Sequence, residues 1–259
     1  MPYVNAGGHR LEYQVHGQYS PESTVIVFLH EGLGCVALWK DFPERVAEVT
    51  SLPVLVYSRA GHGDSSPIEL PRDVSYMHRE ALVVLPELLE SLNIQKTILF
   101  GHSDGGSIAL IYAGSEKANG VRALILEAPH VFVEDISITS VAASVEKFEH
   151  DDLRSRLERY HGDNVDCAFR GWSEIWLHPA FRSWNIEEYL PQINVPILLI
   201  QGEDDPYGTS RQLDAISRSC KSEVSLIILP NCGHRPHRDH PDELLEAIAS
   251  FIRAHVSHN

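Results

Sequence analysis

Apolar residues along the chain fall into two patterns that alternate. The first is a short, continuous apolar run rich in β-branched residues. It occurs at 24–30 (TVIVFLH), 53–58 (PVLVYS), 96–101 (KTILFG), 121–128 (VRALILEA), 195–202 (VPILLIQG) and 223–230 (EVSLIILP). Runs of this kind suit strands buried on both faces of a parallel sheet. The second pattern has helical spacing, in ALWKDFPERVAEV, SYMHREALVVLPELLESL, GGSIALIYAGSE and PDELLEAIASFIRAHV. The last of these opens with Pro241, Asp242 and Glu243. Proline in a first turn and acids at the positive end of the helix dipole both mark a helix start. Strand–helix alternation predicts an α/β fold, a mostly parallel sheet with helices on both faces. At the N-terminus, YVNA, Gly7-Gly8 and HRLEYQVHG predict a β-hairpin.

One region breaks the alternation. From about 131 to 188 there is no buried-strand pattern, and three of the four tryptophans lie there: Trp172, Trp176 and Trp184. We read this as a helical cap inserted into a core formed by 1–130 and 189–259. A cap between two strands is placed to lie over the C-terminal edge of the sheet, where open α/β sheets bind ligands. Trp172 and Trp176 are one helical turn apart and share a face. With Phe132, they are the expected pocket residues of the cap.

Composition narrows the partners. With 43% hydrophobic and 22% charged residues the chain is of ordinary globular type. Its net charge of −15 argues against nucleic acid or an anionic membrane as partner. No signal core or membrane-length apolar run is present, so a cytoplasmic protein is expected; composition says nothing about a small-molecule substrate, which the catalytic residues below imply. The four cysteines lack C-x-x-C spacing and are expected to be reduced thiols. Composition leaves the oligomeric state open.

The chemistry starts at Gly101-His102-Ser103-Asp104-Gly105, a G-x-S-x-G between a strand and a helix. In that context a sharp turn lifts a serine hydroxyl clear of the backbone. A serine hydroxyl is a weak nucleophile and needs a base. His234 follows the last predicted strand and is the expected base, with His237 and His240 expected on the surface. HRPHRDH offers several histidines, but the interleaved arginines and Pro236 argue against a metal site. The base in turn needs an acid. Glu203, Asp204 and Asp205 follow the strand before it; Asp205 is expected to pair with His234, the other two to be solvated, and Glu127 is the competitor. The order Ser…Asp…His is that of one known triad arrangement. The oxyanion is expected on the backbone N–H groups of Gly32 and Asp104. No metal and no organic cofactor is called for.

Together these residues resemble the α/β-hydrolase family over nearly the whole chain. LHEGLGCVALW, ending at Trp39, looks like that family's oxyanion loop, and YSRAGHGDSS looks like its D-x-R-G-x-G-x-S loop. Glu31, Ser58 and Ala60 depart from the usual residues there. The resemblance implies a serine hydrolase with nucleophile Ser103, acid Asp205 and base His234. It is similar to the small-molecule esterase, amino-acid-ester hydrolase and carbon–carbon hydrolase branches. A carboxylic ester substrate is the first expectation, with C–C bond hydrolysis or thioester hydrolysis as alternatives. Two rivals belong to other classes. A non-enzymatic ligand receptor can share the fold. A dinucleotide enzyme is suggested by G-x-G-x-x-A at Gly32–Ala37, but the acid required about 20 residues on is missing from Tyr57-Ser58-Arg59. The carboxylate of Asp104 raises one further alternative: it is held by internal partners, or it faces the pocket and selects cationic substrates.

Overall fold

The computed structural model describes residues 1–256; the last three residues of the expected core segment lie outside the described residues. Eight strands form one sheet in the order β1-β2-β4-β3-β5-β6-β7-β8. They are β1 (Tyr3–Ala6), β2 (His9–His16), β3 (Thr24–Leu29), β4 (Val54–Tyr57), β5 (Lys96–His102), β6 (Val121–Glu127), β7 (Ile197–Gly202) and β8 (Val224–Leu229). β1 and β2 pair antiparallel, as do β2 and β4, while all pairs from β4 to β8 are parallel.

Side chains alternate across the sheet and divide the core in two. Val25, Val27, Leu99, Leu124 and Leu199 belong to one cluster, whereas Ile26, Phe28, Ile98, Phe100 and Ile200 belong to the other. The first packs under α3 (Leu85–Ser91), α4 (Asp104–Ala113) and α8 (Ser210–Ser219). The second packs under α1 (Phe42–Thr50) and α10 (Pro241–His255). Period-two alternation explains why each strand reads as continuously apolar: both of its faces are covered. β8 departs from that expectation. Ile227 packs against the α10 side, but Leu226 and Ile228 on the opposite face are 47% and 51% exposed. β8 is an edge strand, and its second face is covered only at its start, where Val224 packs against the first cluster.

Two predicted helices are interrupted. The segment before β4 is a 3-10 turn (Val36–Trp39), broken at Lys40 (φ 55°), followed by α1. The segment before β5 runs as α2 (Tyr76–Arg79), a π-helical turn (Glu80–Val84) and α3. Pro86 accounts for the wide turn, because a proline has no N–H and its ring excludes the carbonyl four residues back. That carbonyl, Leu82, accepts instead from Lys117 Nζ at 2.8 Å.

Between β6 and β7 the chain forms α5 (Asp135–His150), α6 (Leu153–His161) and α7 (Val165–Trp176), with short 3-10 turns through Gln192. The one bridge there joins Phe132 to Asn185. Among the described residues no helix is long and apolar enough to cross a membrane.

α4 lies unusually close to the sheet, and Gly105 is the reason it can. A Cβ at that position would sit 1.9 Å from the Leu29 carbonyl oxygen, a backbone atom with no rotamer to escape into. Gly105→Ala is therefore expected to destabilise the fold by about 3 kcal/mol in urea unfolding. A loss below about 1 kcal/mol would mean that α4 can withdraw from β3 without penalty.

Candidate active site

The C-terminal ends of β3, β5, β6, β7 and β8 converge on one cavity of about 410 Å³. Ser103 and His234 both line it, together with Gly32, Trp172 and Trp176. Ser103 follows β5 directly and has φ 53°, ψ −116°. A non-glycine residue in that region costs of order 1–3 kcal/mol and persists only where its surroundings hold it. Here the Ser103 N–H donates to the Glu127 carbonyl at 2.9 Å, and Ser107 N–H donates to the Ser103 carbonyl at 3.0 Å. The elbow is thus gripped by β6 on one side and by α4 on the other.

His234 sits on the loop after β8. Its Nδ1 donates to Asp205, at 2.9 Å to Oδ1 and 2.8 Å to Oδ2. Nε2 is then the nitrogen left for a hydroxyl in the cavity. Asp205 is buried at the end of β7, while Glu203 and Asp204 beside it are exposed. It also accepts from Gln201 Nε2 at 2.6 Å and from the Tyr207 N–H at 2.8 Å. Burial would raise its pKa, but the facing His234 and the Tyr207 N–H outweigh it, and the net direction is down. The Asp204 N–H donates to the Cys232 carbonyl at 2.9 Å and ties the two loops together.

Glu127 is engaged elsewhere. Its Oε2 accepts from His237 Nδ1 at 2.7 Å, and both side chains are largely buried. This corrects the expectation that His237 is a surface residue: it packs beside Trp39 and Phe42. His240 remains partly exposed beside Glu243. His102, buried under the loop, donates from Nε2 to the His234 carbonyl at 2.6 Å. His102, Glu127 and His237 bring possible ligand atoms within 4.8 Å of one another, although only His237 comes from the histidine-rich stretch.

The loop after β3 carries Gly32. Arg59, fully buried, donates to the carbonyls of His30 (2.7 Å) and Glu31 (2.9 Å), and His62 Nε2 lies 3.0 Å from the Gly32 carbonyl. The Trp172 indole lies over Gly32 so closely that a Cβ there would stand 2.2 Å from its Cδ1. Asp104, 1% exposed, has both carboxylate oxygens occupied. Tyr76 donates its hydroxyl to Oδ2 at 2.5 Å, and Trp176 Nε1 donates to Oδ1 at 3.3 Å. Arg59 lies 3.8 Å from Oδ2. Burial raises the Asp104 pKa, against the pull of Arg59, Tyr76 and Trp176.

Phe132 is not in the cavity. It lies against the guanidinium of Arg211, and its carbonyl accepts from Gln212 Nε2. Its backbone bridges to Asn185, a pairing that a spacing argument has no means of seeing. Several lining residues have no sequence signal: Ser137 and Val141 on α5, Tyr207 on the acid loop, and Arg235 and Arg238 just after the base. His130 had one available, since it follows β6 at the same edge. Burial, with His234 nearby, lowers its pKa to about 4.

Known proteins share this fold. The model of the alpha/beta hydrolase family matches residues 26–247, and the chain belongs to that family. The family makes it a hydrolase-class enzyme for small-molecule substrates. A proline iminopeptidase of Lactobacillus crispatus is 25% identical, covering 98% of this chain and 97% of its own. The serine hydrolase BPHL of Homo sapiens is 25% identical, covering 93% and 83%. A 2-succinyl-6-hydroxy-2,4-cyclohexadiene-1-carboxylate synthase of an Enterobacter species is 27% identical, covering 89% and 92%. Among solved structures, the enol-lactonase of Burkholderia xenovorans superposes with a TM-score of 0.73 at 17% identity, covering 97% of this chain and all of its own.

Proposed function

We propose that this protein is a serine hydrolase that cleaves a small-molecule carboxylic ester, or a related acyl compound, through an acyl-enzyme on Ser103. The observation that carries the reading is the His234–Asp205 pair beside a serine on a strained elbow, both facing one cavity. In this reading His234 Nε2 removes the Ser103 proton as Oγ attacks the acyl carbon. Asp205 holds the imidazole with Nδ1 protonated and stabilises its cation. The N–H groups of Gly32 and Asp104 receive the oxyanion. His234 then protonates the leaving group, and water repeats the sequence to release the acid.

Trp172 and Trp176 roof the acyl site, and residues 131–188 serve as the cap that carries them. The Asp104 carboxylate ties this roof to the elbow, because one side chain accepts from Trp176 on α7 and Tyr76 on α2. Its charge beside a developing oxyanion is offset by Arg59. With both oxygens engaged, Asp104 is not the recognition group for a cationic substrate.

Incubation with a fluorophosphonate probe, followed by peptide mapping, is expected to find the label on Ser103 of the folded protein. Turnover of a panel of esters differing in acyl length then defines the acyl site. Absence of label on Ser103 in folded protein would end the reading.

A further inference from the structure

A second cavity of about 430 Å³ adjoins the first, and Glu31, Arg235 and Arg238 line both. Its walls are the 3-10 turn with Lys40, the start of α1, helix α6 and the loop bearing His234. Its cations are Lys40, Arg45, Arg156, Arg159, Arg235 and Arg238, against the acids Glu31 and Asp41. This local excess sits in a chain whose net charge is −15, so it is not a sample of the general surface. Three of the cations have acidic partners: Arg45 with Asp242, Arg156 with Asp152 at 3.6 Å, and Arg235 with Glu31 at 3.8 Å. Among the described residues, Lys40, Arg159 and Arg238 have no ion-pair partner.

We infer that this cavity holds the leaving group of the substrate, and that the leaving group is a thiol or alcohol bearing a phosphate. The inference rests on the serine-hydrolase reading above. The direction follows from the chemistry. His234 gives its proton to the departing atom, so the leaving group lies on the side of the His234 loop. Arg235 is the next residue along that loop, and Arg238 lies one helical turn further on, in α9 (Pro236–Asp239). The acyl group then occupies the first cavity, which Trp172, Trp176 and Val141 line. A phosphate monoester brings about two negative charges and three acceptor oxygens. Guanidinium groups match that geometry, and three unpaired cations exceed what a single carboxylate needs. The step balances: the Ser103 Oγ–acyl bond forms, the C–S or C–O bond breaks, and the thiol or alcohol leaves with the His234 proton. Water then cleaves the acyl-enzyme and restores the Ser103 hydroxyl.

Matched substrates test this. At low salt, kcat/KM for S-butyryl-phosphopantetheine is expected to exceed that for S-butyryl-pantetheine by about tenfold or more. Butyryl esters of glycerol phosphate and of glycerol form the alcohol arm, and the arm with the larger ratio identifies the leaving atom. The ratio should collapse toward unity in Lys40→Glu/Arg159→Glu, and in about 0.5 M salt for the unmodified protein. Inorganic pyrophosphate should bind Ser103→Ala in calorimetry, and the binding should vanish when the Lys40 and Arg159 changes are added. Equal kcat/KM for phosphorylated and unphosphorylated forms in both arms would overturn the inference while leaving the serine-hydrolase reading intact. Pyrophosphate binding without turnover of any ester would sink that reading, and the leaving-group role with it. Failure of folded protein to bind pyrophosphate would remove the anion site itself.

Discussion

Ser103→Ala is expected to lower ester turnover by on the order of 10⁵ to 10⁶-fold and to abolish fluorophosphonate labelling, with the fold unchanged. The alanine has no nucleophile, and no other hydroxyl is held in the same strained elbow. Asp205→Asn is expected to cost on the order of 10⁴-fold in kcat, because an amide in place of the carboxylate stabilises the wrong imidazole tautomer. The control is Glu127→Gln. Glu127 holds His237, so its loss weakens a buried pair and is expected to reduce stability by about 1–3 kcal/mol while leaving kcat close to the unmodified level. Steady-state kinetics and urea unfolding on the same three variants separate the roles. If Glu127→Gln loses turnover as severely as Asp205→Asn is expected to, and Asp205→Asn stays active, the acid is Glu127.

Mild acid is expected to unfold this protein, through histidines buried in neutral form. His30, His102, His130 and His161 are all buried, and burial is the main cause lowering the pKa of each. Their hydrogen bonds agree with the neutral ring. His30 Nε2 accepts from the Arg59 N–H, while its Nδ1 lies 2.6 Å from the Glu31 carbonyl. His161 Nδ1 accepts from the Gly63 N–H, and its Nε2 donates to the Leu33 carbonyl. His102 and His130 each have an unpartnered Nδ1.

The sign follows from proton counting. Below about pH 6.5 the unfolded chain protonates these rings, whereas the folded chain does not. The unfolded state therefore binds more protons, and stability falls as pH falls. For His130 the window runs from the ordinary value of 6.5 down to about 4. Each such group contributes a slope of about 1.4 kcal/mol per pH unit, and four together about 5 kcal/mol per pH unit where all differ. Against a typical stability of 5–15 kcal/mol this is enough to lose the fold between about pH 6 and pH 4. Asp205, with its lowered pKa, adds a further loss only at lower pH, below the ordinary carboxylate value. Urea unfolding at about pH 7.5 and about pH 5.5 measures the difference. Equal midpoints would mean that the buried rings are already protonated in the fold or reach solvent freely.

Much of the candidate site could be read one residue at a time. G-x-S-x-G between a strand and a helix located Ser103, and the ends of two later strands located Asp205 and His234. These positions are legible because the backbone itself demands them: a sharp turn needs small residues, and a loop after a parallel strand opens at one edge. Contacts across the fold were less legible. The pairing of Glu127 with His237 joins residues 110 apart, and no local pattern distinguishes that histidine from a surface one. Phe132 shares the segment of the tryptophans, yet it does not line the cavity that Trp172 and Trp176 line. β8 differs from its sequence pattern for a related reason: an edge strand has the composition of a central one when one of its faces is covered.

The sequence by itself determined the alternation of strands and helices and the position of the elbow, since these follow from periodicity and from local backbone geometry, and its motifs carried the resemblance to the family. Only the tertiary structure decided which acid meets His234, that Asp104 is bound on both oxygens, and that a cationic cavity opens beside the base. Those outcomes depend on distances between strand ends and on which side chains share a buried space. The chain order of residues does not contain that information until the sheet has brought the strand ends together.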